Sequence, residues 1–193
     1  MKEELRRPEG PGASARLLDV FAPAAPPAPP PVSREPGFVL PAASRPVLHG
    51  QAVSGMRCAV RRAVDAVHVE IFVDRKVLLL PAGIGLRPPL RRAGLTRLAG
   101  GACAYPPHTL DPTGTVLVDR SRRRVLGDLF AVWGRRLGAR RLLSFAGRVH
   151  VFRNGREWQG DPRQVPLRRH DSVVLEVGGY VPPHVRYLFP AGQ

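Results

Sequence analysis

TVLVDRSRRRVLGDLFAVWGRRLGARRLLSFAGRVHVFRNGREWQGDPRQVPLRRHDSVVLEVG, residues Thr115–Gly178, is the stretch whose reading decides the fold. Val116-Leu117-Val118 is an apolar run of strand length, and Arg120 to Arg124 is a polar turn. Leu126, Leu129, Phe130, Trp133 and Leu137 fall at i, i+3, i+4, i+7 and i+11, one stripe of a helix expected over Val125–Leu137. Asp128 sits in its first turn, where a carboxylate suits the helix dipole. Gly138 follows as the expected C′ residue. Val149 and Val151 alternate with His150 and Phe152 up to Asn154-Gly155, the strongest hairpin dipeptide. Val173, Leu175 and Val177 alternate on a closing strand.

Upstream, Val67, Val69, Ile71 and Val73 point one way and His68, Glu70 and Phe72 the other. Asp74-Arg75-Lys76 turns the chain, and Val77 to Leu80 returns, so a second hairpin is expected here. Leu86 to Gly101 reads as a loop, and Ala102 to Tyr105 as a short strand. Ala22 to Pro31 is wholly proline and alanine, and its prolines remove amide donors and fix φ. The sequence therefore divides into a disordered Pro/Ala-rich tail (1–47), a β-hairpin annex (48–104) and a C-terminal domain (105–193). The last two are expected to form one globular unit. Tyr180 to Gln193 is Pro-broken and is expected to pack back on the sheet through Tyr187, Leu188 and Phe189.

The net charge is +15, and 28 of the 30 basic residues are arginine. Lysine occurs only at Lys2 and Lys76, and isoleucine only at Ile71 and Ile84, as a GC-rich bacterial genome would dictate. That bias discounts the charge without removing it. Residues 1–47 hold six basic and five acidic side chains, whereas residues 48–193 hold 24 against 10. So basic a folded part attracts polyanions, and less so as salt rises. No window approaches a transmembrane span. No apolar segment follows Met1–Gly10, so no signal peptide is visible. The sequence thus points by default to the cytoplasm, or to an extracytoplasmic protein if the start lies elsewhere. Cys58 and Cys103 are either a disulfide pair or two buried thiols. The sequence has no Gly-rich phosphate loop, Gly-x-Ser-x-Gly or His-Glu-x-x-His. Acidic residues are scarce, and nothing points to an enzyme.

The strand, helix, hairpin and closing strand resemble the β-grasp layout. Val149–Val177 looks like the second half of ubiquitin-like folds. The expected class is α+β: a small mixed sheet with one main helix, β-grasp-like, preceded by an extra hairpin. The internal Gly178-Gly179, with Ala191-Gly192-Gln193 at the end, argues against a modifier or sulfur carrier, whose activated terminus is Gly-Gly.

A second resemblance covers about residues 60–190. Leu126-Gly127-Asp128-Leu129-Phe130-Ala131-Val132-Trp133-Gly134 and Pro81-Ala82-Gly83-Ile84-Gly85, with the stretch from Cys103 to Asp119, are similar to motifs of an uncharacterised, envelope-associated family of bacterial and archaeal proteins. That family shows Leu-Gly-x-Phe-Phe-x-x-Trp-Gly, His-Thr-His-Asp, Ile-His-x-Glu and a His-x-His hairpin. Its histidine clusters imply a copper or zinc site, since imidazoles suit both metals. This chain is a diverged member: Ala66, Leu110 and Leu117 stand where the family has histidine. His68, His108 and Asp111 remain as candidate ligands, with Cys103 a further one.

The function expected is that of a non-enzymatic binding or structural domain, with a vestigial or reduced transition-metal site. The alternative is an Arg-rich module binding nucleic acid or another polyanion through Arg120, Arg122, Arg123, Arg124, Arg135, Arg136, Arg140 and Arg141. Trp158 would then be an exposed stacking residue. His150, His170 and His184 read as lone surface histidines.

Overall fold

The computed structural model describes residues 52–60 and 63–190. The Pro/Ala-rich tail expected over 1–47 lies outside them. Among the described residues the fold is mixed α+β, with one α-helix and several sheets. No helix among these residues is long and apolar enough to cross a membrane.

The alternation of Val64–Val73 makes it the longest strand, β1, and also the central one. Asp74 and Arg75 take left-handed φ values of 48° and 65° and return the chain into β2, Lys76–Leu78. His108–Thr109 (β3) and Thr115–Asp119 (β4) form an antiparallel pair. Helix α1 follows at Leu126–Trp133. His150–Arg153 (β5) and Arg156–Glu157 (β6) flank Asn154-Gly155, and Ser172–Val177 is the closing strand β7. Across the main sheet the order is β6-β5-β7-β1-β4-β3, with β2 also paired to β1. β1 and β7 run parallel, in the register His68↔Ser172 to Val73↔Val177.

The hairpin read from sequence as an annex is therefore the middle of the sheet. Both edges of β1 are taken, by β7 on one side and by β4 and β2 on the other. Val67, Val69, Ile71 and Val73 share their face with Val116, Val118, Val151, Val173, Leu175 and Val177. This face packs on Leu126, Leu129, Phe130 and Trp133 of α1 as one continuous core. Burying each such side chain contributes about 1.5–3 kcal/mol.

The helix is shorter than its stripe. It ends at Trp133 because Gly134 enters the left-handed region at φ 69°, and its N–H bonds the Ala131 carbonyl. Glycine does this without a Cβ clash, so the chain stops four residues before the expected Gly138. Leu137 still packs on the core, now from a short strand paired to Leu142. At the other end Val125 has no side-chain acceptor, and the Asp128 carboxylate instead accepts the Val125 N–H at 3.2 Å. Leu86 to Gly101 holds a two-stranded ribbon, Arg91–Arg92 against Leu98–Gly100, where a loop was expected.

Asn154 lies in the β5–β6 turn at φ 52°. Its side chain donates to Asp171 Oδ1 at 2.9 Å and accepts the Ser172 N–H at 2.8 Å. Arg153 grips the same Asp171 carboxylate at 2.8 and 2.9 Å. The hairpin is thus fastened to the entry of β7 by charge-assisted bonds.

Candidate functional site

The second face of the sheet carries the ionisable side chains. Its rows are read from the strand registers: His108, Leu117 and Ala66; then Thr115, His68 and Ser172; then Glu70, Val174, Phe152 and Glu157; then Phe72, Glu176 and His150. Ala66, Leu117 and His108 are therefore side by side. Leu117 and Ala66, two positions where the sequence resemblance led histidine to be expected, continue the row that starts at His108 on the sheet edge, and both hold hydrocarbon here.

His68 and Glu70 lie under the C-terminal tail. The His68 ring is 4% exposed and stacks flat on Tyr187, with centroids 3.7 Å apart. Its Nε2 is 3.0 Å from Glu70 Oε1, and His184 Nδ1 from the tail is 2.7 Å from Glu70 Oε2. Burial alone would raise the Glu70 carboxyl, but the bonds from His68 and His184 outweigh it and hold the group below its ordinary value. Further along, Phe189 stacks on His170 and Tyr180 meets Phe152 edge-on. Glu176, 1% exposed, is pushed up by burial, and its Oε1 has no hydrogen-bond partner.

His108 is placed differently. The Pro81-Ala82-Gly83-Ile84-Gly85 turn is stitched to β3 through Thr109. Thr109 Oγ1 donates to the Pro81 carbonyl at 2.7 Å and accepts the Ile84 N–H at 3.0 Å. Backbone bonds from Gly83 N to Thr109 O and from Thr109 N to Ile84 O complete the seam. Gly85, at φ 71°, must be glycine: a Cβ there would lie 2.4 Å from the Pro107 carbonyl oxygen and 3.1 Å from His108 Cβ. The seam fixes the backbone that carries the histidine. His108 Nδ1 then lies 3.0 Å from the Tyr105 carbonyl. A carbonyl only accepts, so Nδ1 carries the hydrogen and Nε2 keeps its lone pair. Burial pushes the imidazole below its ordinary pKa, with the Tyr105 bond opposing it, so the ring is neutral near pH 7.

His108 lines a cleft of about 360 Å³. The walls are mostly apolar, from Ala59, Val60, Val64, Leu86 and Leu110, and Cys103 lines it as well. That volume is in the range of small-ligand sites. Cys103 is bonded to Cys58, and this disulfide ties residues 52–60 to the cleft wall beside the Ala59–Ala104 bridge. The sulfur offers no thiolate to a metal.

The sequence candidates are thus dispersed. Asp111 is occupied by the Thr113 hydroxyl and N–H and by Arg97 at 3.0 Å, so it serves the turn. His68 and His108 sit in different rows, one under the tail and one in the cleft. Among the described residues no three His, Cys, Asp or Glu side chains are grouped to hold a metal. The arginines are split as well. Arg120, Arg122, Arg123 and Arg124 precede α1, with Arg120 bonded to Asp65 at 3.0 Å and Arg124 beside Asp119 at 3.8 Å. Arg135, Arg136, Arg140 and Arg141 follow the helix, about 12 Å of helix away. Trp158 packs on the core and its Nε1 donates to the Asp161 carbonyl at 3.3 Å, so it is not a free stacking platform.

No local signal announces that His150 meets the Glu157 carboxylate and His184 that of Glu70. Nor did it show that His108 would share a cleft with Arg91. The signal that pointed nearest was the Pro-Ala-Gly-Ile-Gly turn, whose glycines mark a close backbone approach. No protein-family model, curated protein or solved structure matches this chain.

Proposed function

We propose that the chain is a non-enzymatic binding module built on a β-grasp layout, with its ligand site in the His108 cleft. The layout is supported by the strand order β2-β1-β7-β5-β6 and the parallel β1–β7 pair, with α1 following the first hairpin. Residues 79–125, carrying β3 and β4, then form an insertion between that hairpin and the helix. The cleft lies between this insertion and residues 59–64.

The observation that carries the binding reading is His108 itself. It is a neutral imidazole, held by one nitrogen and offering the other, in an apolar cleft. A group so placed suits recognition of a ligand. Catalysis would need a partner nucleophile or acid, and nothing described stands ready beside it. One imidazole without companions also makes a weak metal site, so a transition metal would be held loosely, through His108 alone. The disulfide suits an oxidising compartment, in keeping with the envelope-associated family the sequence resembles. The Arg-rich reading is less favoured, because its two clusters lie at opposite ends of α1 and two of the arginines are paired.

Chemical-shift mapping of the chain against a panel of small organic fragments tests this. Shifts should cluster at Tyr105, His108 and Leu110. A panel without binders, or with binders only elsewhere, would remove the cleft as the site.

A further inference from the structure

The cleft holds a second polar group besides His108. Arg91, in the two-stranded ribbon, lines it together with Gly100. Its guanidinium lies so near Gly100 that a Cβ there would come within 3.4 Å of a terminal nitrogen. Arg91 is exposed and forms no salt bridge with another described residue.

Two recognition elements of unlike chemistry therefore share one apolar cleft. His108 Nε2 can only accept a hydrogen bond while the ring is neutral. A carboxylate, which donates nothing, is not its partner, but a hydroxyl is. Arg91 can only donate, and its fork fits a carboxylate. The apolar walls between them ask for a hydrocarbon body. We infer that the cleft binds a small hydroxy acid with an apolar or aromatic body, the hydroxyl donating to His108 Nε2 and the carboxylate meeting Arg91. This rests on the cleft being the binding site. The lowered His108 pKa supports it, since protonation would turn the acceptor into a donor.

The test is an NMR titration of the full chain with 4-hydroxybenzoate, benzoate and phenol. 4-Hydroxybenzoate should move the cleft resonances with the lowest Kd. Benzoate, lacking the donor, should bind roughly fivefold more weakly, the effect of about one neutral hydrogen bond. Phenol should lose a similar factor, and that loss should shrink with added salt because Arg91 is exposed. His108→Phe should bring 4-hydroxybenzoate down to the affinity of benzoate, and Arg91→Gln down to that of phenol. Arg91→Gln lies outside the core and keeps the test valid if His108→Phe disturbs folding. Phenol binding as tightly as 4-hydroxybenzoate, with Arg91→Gln without effect, would overturn the hydroxy-acid assignment and leave the cleft reading standing. No cleft shifts with any of the three would also overturn it, and the wider fragment panel then decides whether the cleft reading falls too.

Discussion

The two faces of the central sheet are covered in different ways. On one, α1 lays Leu126, Leu129, Phe130 and Trp133 on a continuous aliphatic surface. On the other, a tail without regular structure crosses a face that mixes a small Phe72–Phe152–Val174 cluster with His68, Glu70 and Glu176. The helix satisfies its own backbone and contributes only side chains, so that face can be wholly apolar. The tail satisfies little of its own backbone and must be met by polar groups. Ser172 Oγ donates to the His184 carbonyl at 3.2 Å, and His184 in turn bonds Glu70. The first face is stabilised by burial, the second by ring stacking and by paired charges such as that of Glu70.

The largest expected difference comes from truncating one aromatic on each side. Trp133→Ala should cost about 3–5 kcal/mol in denaturant unfolding, since it empties a fully buried site. Tyr187→Ala removes a half-buried ring stacked on His68 and should cost about 1–2 kcal/mol. Equal costs would break the contrast between the faces.

Much of this contrast was legible in the alternation of Val67–Val73, which separates Val67, Val69, Ile71 and Val73 from His68 and Glu70. What could not be read was who stands next to whom. The His184–Glu70 bond joins residues 114 apart, and nothing local in either segment announces the other. The same holds for β1 beside β7, a parallel pairing that only the closed sheet specifies. Gly134 misled through its neighbours: a stripe running to Leu137 hid the left-handed residue that ends the helix. At the site, His108 was visible as a residue and Gly85 as a turn. Their contact, and the arrival of Arg91 from the ribbon, came only with the fold.

Two smaller effects concern only the tail-covered face. The Glu176 carboxyl is raised in the folded state, so that state holds its proton longer. Stability should then fall as pH climbs from the ordinary glutamate value of 4.5 through the raised one. Glu176→Gln should accordingly stabilise the protein by about 1 kcal/mol at pH 7, by removing a poorly partnered buried charge, and leave stability unchanged at pH 3. Thermal unfolding at the two pH values checks both halves. Glu70 is lowered, so its contribution is present above the ordinary carboxylate range and is lost as pH falls through the folded value. His184→Ala should cost about 0.5 kcal/mol at pH 6, the ring being largely exposed, and nothing once Glu70 is protonated. A cost that persisted into strong acid would mean that the tail is held by packing alone.

Ligand recognition in the cleft requires a neutral His108 whose Nε2 accepts a hydrogen bond. Long-range ¹H–¹⁵N NMR of the imidazole reads the tautomer and its titration together. The Nδ1–H tautomer is expected at pH 7, with a midpoint below the ordinary histidine value of 6.5. An Nε2–H tautomer, or a ring already charged at pH 7, would contradict it.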